Sequence, residues 1–437
     1  MKNLKKFKNF VLGASSVVLF SGAVALLENN VFGDIEYEYQ DVTLVLPKDG
    51  SFEDHRFCKN NEIAEEYIMT LGASTDSFDV IKGVELTKAT GDGEINIPNE
   101  IDNKPVLKLG KELFKNNKSI TGEVVIPKNV VIIGQECFFE CTKLAGLSFE
   151  PNSQLRVIGT GAFQYCINMR GSLILPDELS VINESAFEQC GFDGELKLND
   201  KLSTILKKAF CDCGGFDCEL TIPASLNEIQ SEVFKSAKLK CVEFSEDNKL
   251  KRIAEGLFAE SLVDEASALS LPNTVSWIAP EAFRGCNFNK VTLSDDLEII
   301  SQESFRDAAL GSVVIIPNKV KTIGDYAFNG SRVRVFVFRC NETLETLGEE
   351  CFKEIENLMI VNLPSDKISE DYFDDTTVFV AVDDKNIDEV INYLTEYDWP
   401  VDDDDQYFSE ELRDGIVEKL EKDYNATVFK FDNNEDD

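Results

Sequence analysis

The sequence predicts an α/β repeat solenoid, an array of about twelve repeats of 21–25 residues stacked around a parallel sheet and capped at both ends. Three observations predict it. Twelve phenylalanines recur in phase, at 114, 138, 163, 187, 210, 234, 258, 283, 305, 328, 352 and 373, in steps of 24, 25, 24, 23, 24, 24, 25, 22, 23, 24 and 21. Eight and five positions before each of the first eleven stand two apolar residues, such as Leu179 and Ile182 before Phe187, or Val320 and Ile323 before Phe328. Further upstream lies a short alternating stretch closed by proline or a polar residue (LILP, LKLN, LTIP, LSLP, VIIP), the mark of a strand with one buried face.

The elements follow in order. The chain has 437 residues, long for one compact core, and is 43% hydrophobic, so an array that shares its core between neighbouring repeats suits it. Lys2, Lys5, Lys6 and Lys8 precede an uncharged stretch from Phe10 to Leu27, with Ala23 and Ala25 in A-x-A spacing. Residues 1–25 therefore read as a secretory signal, the alternative being an uncleaved membrane anchor. Residues 26–77 hold no phenylalanine in phase and are expected to cap the first repeat. The array occupies 78–382. Its strand lies 12 residues before the phenylalanine in proline-ended repeats and 14 in FEPNSQLRVIGTGAF, FSEDNKLKRIAEGLF and FRCNETLETLGEECF. Two extra residues in a surface turn cost little. The chain between phenylalanine and strand should return by a short turn or helix. Residues 383–437 read as an acidic α/β cap: Ile387, Val390, Ile391 and Leu394 have helical spacing, a second helix spans 409–424, and ATVFKF follows as a strand.

The strings IPKNVVIIGQECFFEC, LPDELSVINESAFEQC and IPNKVKTIGDYAFNGS resemble the BspA-like leucine-rich repeats of bacterial surface proteins and some parasitic protists. The resemblance runs from about 78 to 382. It implies a leucine-rich-repeat solenoid and, for characterised relatives, adhesion or recognition of host molecules at the cell surface.

Composition narrows the partners. With 43 basic and 80 acidic residues the chain carries a formal charge of −37, a field that repels nucleic acid and anionic lipid. Membrane contact is expected only through the N-terminal segment. Twelve cysteines invite a disulfide framework, yet Cys141, Cys166, Cys190, Cys213 and Cys286 fall three residues after the phased phenylalanine, where other repeats place Asn, Ala or Ser. Cys137 and Cys351 occupy the small-residue slot before it. A cysteine interchangeable with alanine reads as a small buried hydrophobe. For Cys211, Cys213 and Cys218 a disulfide or a metal stay open beside that reading.

No catalytic constellation emerges, and no metal or other cofactor is called for. His55 is the only histidine, and no P-loop, dinucleotide fingerprint or HExxH pattern occurs. The run Asp402–Asp405 lacks EF-hand spacing.

The expected function is therefore non-catalytic: a secreted or cell-surface protein that recognises or adheres to an extracellular or host protein or glycan. A structural envelope component without a specific ligand is the alternative, and an enzyme the third. Apolar residues clustered at outward strand positions would favour recognition, and uniformly short polar ones the structural reading. Strand alternation places Val313, Ile315, Val335, Val337 and Ile360 outward on successive late repeats, flanked by Arg332 and Arg334, and this patch is the expected partner site. The rival account is that the C-terminal cap folds over it.

Overall fold

The computed structural model describes residues 5–8, 35–47, 56–58, 78–261, 267–339, 343–399 and 409–430. Most of the expected N-terminal signal, together with His55 and Asp402–Asp405, lies outside the described residues. The chain divides into two compact units, Met1–Leu202 and Ser203–Asp437.

Each unit is built of parallel β-coils, and each coil carries two strands. The first strand is the alternating stretch read from the sequence. In the first unit it forms the parallel set Gly93–Glu94, Ile120–Ile126 and Leu144–Phe149, and the pair Leu173–Ile174 with Leu196–Lys197. In the second unit Glu219–Ile222 pairs with Cys241–Phe244, and Ala268–Ser270 with Lys290–Thr292. Val313–Ile316, Val335–Phe338, Met359–Val361 and Val378–Ala381 then run side by side.

The second strand is only two residues long, and it falls on the isoleucine or leucine five positions before the phenylalanine and the residue before that. Ile132–Ile133, Val157–Ile158 and Val181–Ile182 pair in parallel in the first unit. Arg252–Ile253, Trp277–Ile278, Ile299–Ile300, Thr322–Ile323 and Thr346–Leu347 do so in the second. Ile133, Ile158, Ile253, Ile278, Ile300 and Ile323 point inward and are fully buried. Their preceding partners point outward.

The phenylalanines form the interior columns. In the first unit Phe114, Phe138, Phe163 and Phe187 stack at centroid separations of 5.0, 4.9 and 5.4 Å, with ring planes within 12°. In the second, the rings from Phe210 to Phe373 repeat this at 5.2–5.7 Å. Burial of each contributes about 1.5–3 kcal/mol, and the stacked geometry adds to it.

Around each phenylalanine the return is a turn and not a helix. From Phe114 to Phe352 the residues two before and two after take left-handed backbone, for example Glu136 (φ 53°) and Glu140 (φ 55°) around Phe138, or Glu303 (φ 53°) and Asp307 (φ 57°) around Phe305. Those two residues and the phenylalanine itself donate to carbonyls of the following coil: Glu136 to Thr160, Phe138 to Ala162, Glu140 to Gln164. A third ladder thus runs along the coils beside the two sheets. Left-handed geometry costs a non-glycine residue about 1–2 kcal/mol. The inter-coil bonds it makes possible, each worth about 0.5–1.5 kcal/mol, offset that cost.

In the first unit Glu36–Pro47 pairs antiparallel with Phe78–Thr90, which pairs parallel with Lys104–Leu109 and so joins the second sheet. At the other end of the chain α1 (Ile387–Glu396) and α2 (Glu410–Tyr424) precede a strand, Thr427–Lys430, antiparallel to Val378–Ala381. Ile387, Val390, Ile391 and Leu394 are buried on one face of α1. Ser409 caps α2 by accepting a hydrogen bond from the Leu412 amide at 3.2 Å.

Candidate recognition surface

The outward strand positions decide where a partner could dock. On the first sheet of the second unit, Thr221, Glu243, Ser270 and Thr292 are exposed and polar. The apolar outward residues come later, and they are covered. Val335 and Val337 have no exposed surface, because together with Met359, Val361, Val378 and Val380 they pack against Ile387, Val390, Ile391 and Leu394 of α1 and Ile416, Val417 and Leu420 of α2. Val313 and Ile315 are half-buried at the margin of the same cluster.

The expected partner patch is therefore corrected: these side chains are the floor on which the C-terminal helices pack. Ile360 is corrected for a second reason. It pairs with Phe336 and Phe379, which face the coil interior, so the outward residues of its strand are Met359 and Val361. Arg332 is exposed and donates to Asn287 Oδ1 at 2.6 Å. Arg334 places its guanidinium 5.6 Å from the Trp399 ring centroid, against the same C-terminal segment.

Arg413 on α2 holds that packing in place. It is 2% exposed and donates to the Thr376 carbonyl at 2.7 Å and to Asp414 Oδ1 at 3.0 and 3.1 Å. A buried guanidinium needs such partners, since an unpaired buried charge is costly.

The second sheet tells a different story in each unit. In the first unit its outward residues Ile132 and Val157 are 9% exposed, covered together with Val42, Leu44, Leu107 and Val131 in one apolar cluster. In the second unit the corresponding positions are open. Arg252, Trp277 and Ile299 are direct register partners on three adjacent coils, continued by Thr322 and Thr346. Trp277 is 37% exposed and Ile299 38%.

Trp277 is held from both neighbouring coils. Its Nε1 donates to Ser301 Oγ at 2.7 Å on one side, and the Arg252 guanidinium lies 5.7 Å from its ring centroid on the other. A cation over an indole at an exposed site is worth about 0.5–1 kcal/mol. The ring is thus fixed before any partner arrives. The sequence carried a trace of this site: six positions before the phased phenylalanine, other coils of this unit show Thr, Glu, Arg, Ile or Lys where this one has tryptophan. It was missed because a two-residue strand shows no alternation.

A concave feature of about 460 Å³ in the first unit is lined by Ser148, Glu150, Gln154, Ser172, Ile174 and Glu178, beside the two-residue insertion. Its Glu150 is already committed: it accepts from Asn99 Nδ2 at 2.9 and 3.0 Å and from the Lys128 amide at 3.0 Å, which hold its carboxyl below the usual range. Its chemistry is that of a braced loop.

None of the ten cysteines whose side chains are described is in a disulfide, and nine of them are buried. Cys141, Cys166, Cys190 and Cys286 donate to the carbonyls of Phe114, Phe138, Phe163 and Phe258, the phased phenylalanine one coil earlier, at 3.0–3.2 Å. Burial pushes the Cys141 thiol up to about 12 and those of Cys137, Cys166 and Cys351 up as well. Cys141, Cys166, Cys190 and Cys286 thus act as structural donors inside the coils, and a thiol whose pKa is raised by burial is a poor nucleophile at neutral pH. Cys211, Cys213 and Cys218 are buried too, and none of the three is in a disulfide. No helix among the described residues is long and apolar enough to cross a membrane.

Comparison with known proteins places this repeat. The description "BspA type leucine rich repeat region" matches, in six copies, residues 107–240, 194–270 and 251–379. No curated protein sequence matches the chain. Among solved structures, a leucine-rich cell surface protein of Faecalibacterium prausnitzii is 19% identical, with a TM-score of 0.35 over 59% of this chain and 84% of that one. A leucine-rich repeat protein of Bacteroides ovatus is also 19% identical, with a TM-score of 0.39 over 69% and 96%. The pneumococcal vaccine antigen PcpA is 19% identical, with a TM-score of 0.41 over 69% and 87%. Such scores are too low to carry an argument about function. The family match spans more than half of the chain and coincides with the phased coils, and the protein belongs to the BspA-type leucine-rich-repeat family.

Proposed function

We propose that the protein is an exported, non-catalytic recognition protein of the cell surface. It binds a protein partner, in adhesion to host or matrix molecules, through the open second-sheet face of its second unit. The observation that carries this reading is the exposed ladder Arg252–Trp277–Ile299 on rigid, stacked coils. Tryptophan and arginine dominate the energetic centres of protein interfaces, and a ring already fixed by Ser301 and Arg252 loses little freedom on binding. The contrast with the first unit, where equivalent apolar positions are covered, supports an external occupant for this one.

A structural envelope role is the second reading, favoured by the polar outward row Thr221, Glu243, Ser270 and Thr292. An array of purified extracellular-matrix and cell-surface proteins separates the two. Wild type should retain at least one of them, and Trp277→Ala with Ile299→Ser should lose it with an unchanged melting temperature. Retention by the double variant at wild-type strength would remove this face as the recognition surface; retention of nothing by either would favour the structural role.

A further inference from the structure

Resting on that reading of the Arg252–Trp277–Ile299 face, we infer that its partner is an acidic protein segment carrying an apolar anchor. At first sight the chain's formal charge of −37 argues the opposite. The local geometry overrides it. A partner that covers Trp277 must also cover Arg252, whose guanidinium lies 5.7 Å from the ring centroid. Burying a charged group without an opposite charge is strongly unfavourable, so a neutral or basic partner would lose at Arg252 much of what it gains at Trp277 and Ile299. A carboxylate removes that penalty, and its planar geometry matches the guanidinium fork.

The surroundings reinforce this. Lys249, Lys251 and Arg252 are consecutive exposed cations on one coil, in the string NKLKRI. Among the described residues none of the three has a carboxylate within 4 Å. On following coils, by contrast, Lys319 is paired with Asp296 at 2.5 Å and Lys321 with Glu298 at 2.7 Å. Asp296 is held below the usual carboxylate range chiefly by Lys319 and also by Lys251, so Arg252 and Lys249 are the cations beside the tryptophan left for an external anion. Long-range repulsion from the rest of the chain is screened over about 8 Å at physiological ionic strength, so short contacts at Arg252 and Lys249 set the preference.

Because the chain has only two tryptophans, Trp277 can be its own reporter. Trp399→Phe leaves Trp277 as the sole indole, and its emission is followed during titration with three short synthetic peptides. All carry leucine and phenylalanine alternating with a second residue, which is glutamate, glutamine or lysine. The glutamate peptide should shift the emission and bind about tenfold more tightly than the glutamine peptide, a preference of the size expected from two exposed charge contacts. Arg252→Gln with Lys249→Gln should abolish most of the difference between the glutamate and glutamine peptides, whatever it does to the binding both share. Equal affinity for the glutamate and glutamine peptides, both shifting the emission, would overturn the acidic partner and leave the docking face standing. Tighter binding of the lysine peptide, or no shift with any peptide, would also overturn it. The recognition reading itself falls only on the protein array above.

Discussion

The phased phenylalanine does three things at one residue. Its ring fills the coil, its amide donates to the following coil, and its carbonyl accepts the thiol of the next cysteine-bearing coil, as Phe138 does toward Ala162 and Cys166. Truncation removes the first function and leaves a cavity between two stacked neighbours. Phe234→Ala, whose ring lies 5.4 and 5.6 Å from Phe210 and Phe258, should cost about 3–5 kcal/mol by denaturant unfolding. A loss under about 1 kcal/mol would mean that the column is not the core. The thiols give a second test at this scale. Buried and held protonated, they should resist alkylation in the native protein and react fully once the chain is denatured without reductant. Protection that persists in denaturant would reveal disulfides in place of these thiols.

Among the elements, the C-terminal helices matter most, because they decide which outward residues are surface. Replacing both Val335 and Val337 with serine puts two hydroxyls beneath α1 and α2 with no water to satisfy them, and should cost about 2–5 kcal/mol in total. Thermal melting measures this, and an unchanged midpoint would mean that the helices do not rest on these strands. The repeat phase, the inward isoleucines and the segments that become α1 and α2 were all legible in the sequence, because each follows a fixed period. Three things were not. Met359–Val361 was read one residue out of phase, which turned Ile360 outward; a slip of one inverts every side chain of a strand. The second sheet has strands too short to alternate. The packing of α1 and α2 over Val335 and Val337 joins segments far apart in the chain; the sequence offered it only as the rival account, because local pattern cannot choose between such pairs.

At the scale of the whole molecule, charge opposes the fold. Eighty acidic residues against 43 basic ones repel one another in the compact state. Most ion pairs, such as Lys201 with Glu178 at 2.6 Å, are exposed and contribute little. Raising sodium chloride from about 0.01 to about 0.15 M, which shortens the screening length from about 30 to about 8 Å, should therefore raise the melting temperature at neutral pH. A fall would mean that ion pairs outweigh the net repulsion. Acid acts through particular carboxylates. Lys115 holds Glu136, and Asn99 holds Glu150, below the usual range. Their contribution is present above the unfolded value and is lost as pH falls through the lower, folded one. Glu150→Gln should accordingly lose less stability than wild type on acidification below about pH 4.

The third ladder, running through the turns around each phenylalanine, has a mechanical consequence. Within each unit neighbouring coils are tied by strand pairs on one or both faces and by a row of turn bonds, all directed along the stacking axis. Tension applied along that axis would open these bonds one after another, as a zipper opens, instead of shearing many at once. Within either unit a coil of about 24 residues would then peel off as one quantum, freeing about 80 Å of extended chain for about 5 Å of stack lost. A coil stack built in this way gives length under load in even steps, and each coil still stacked keeps its phenylalanine sealed from water.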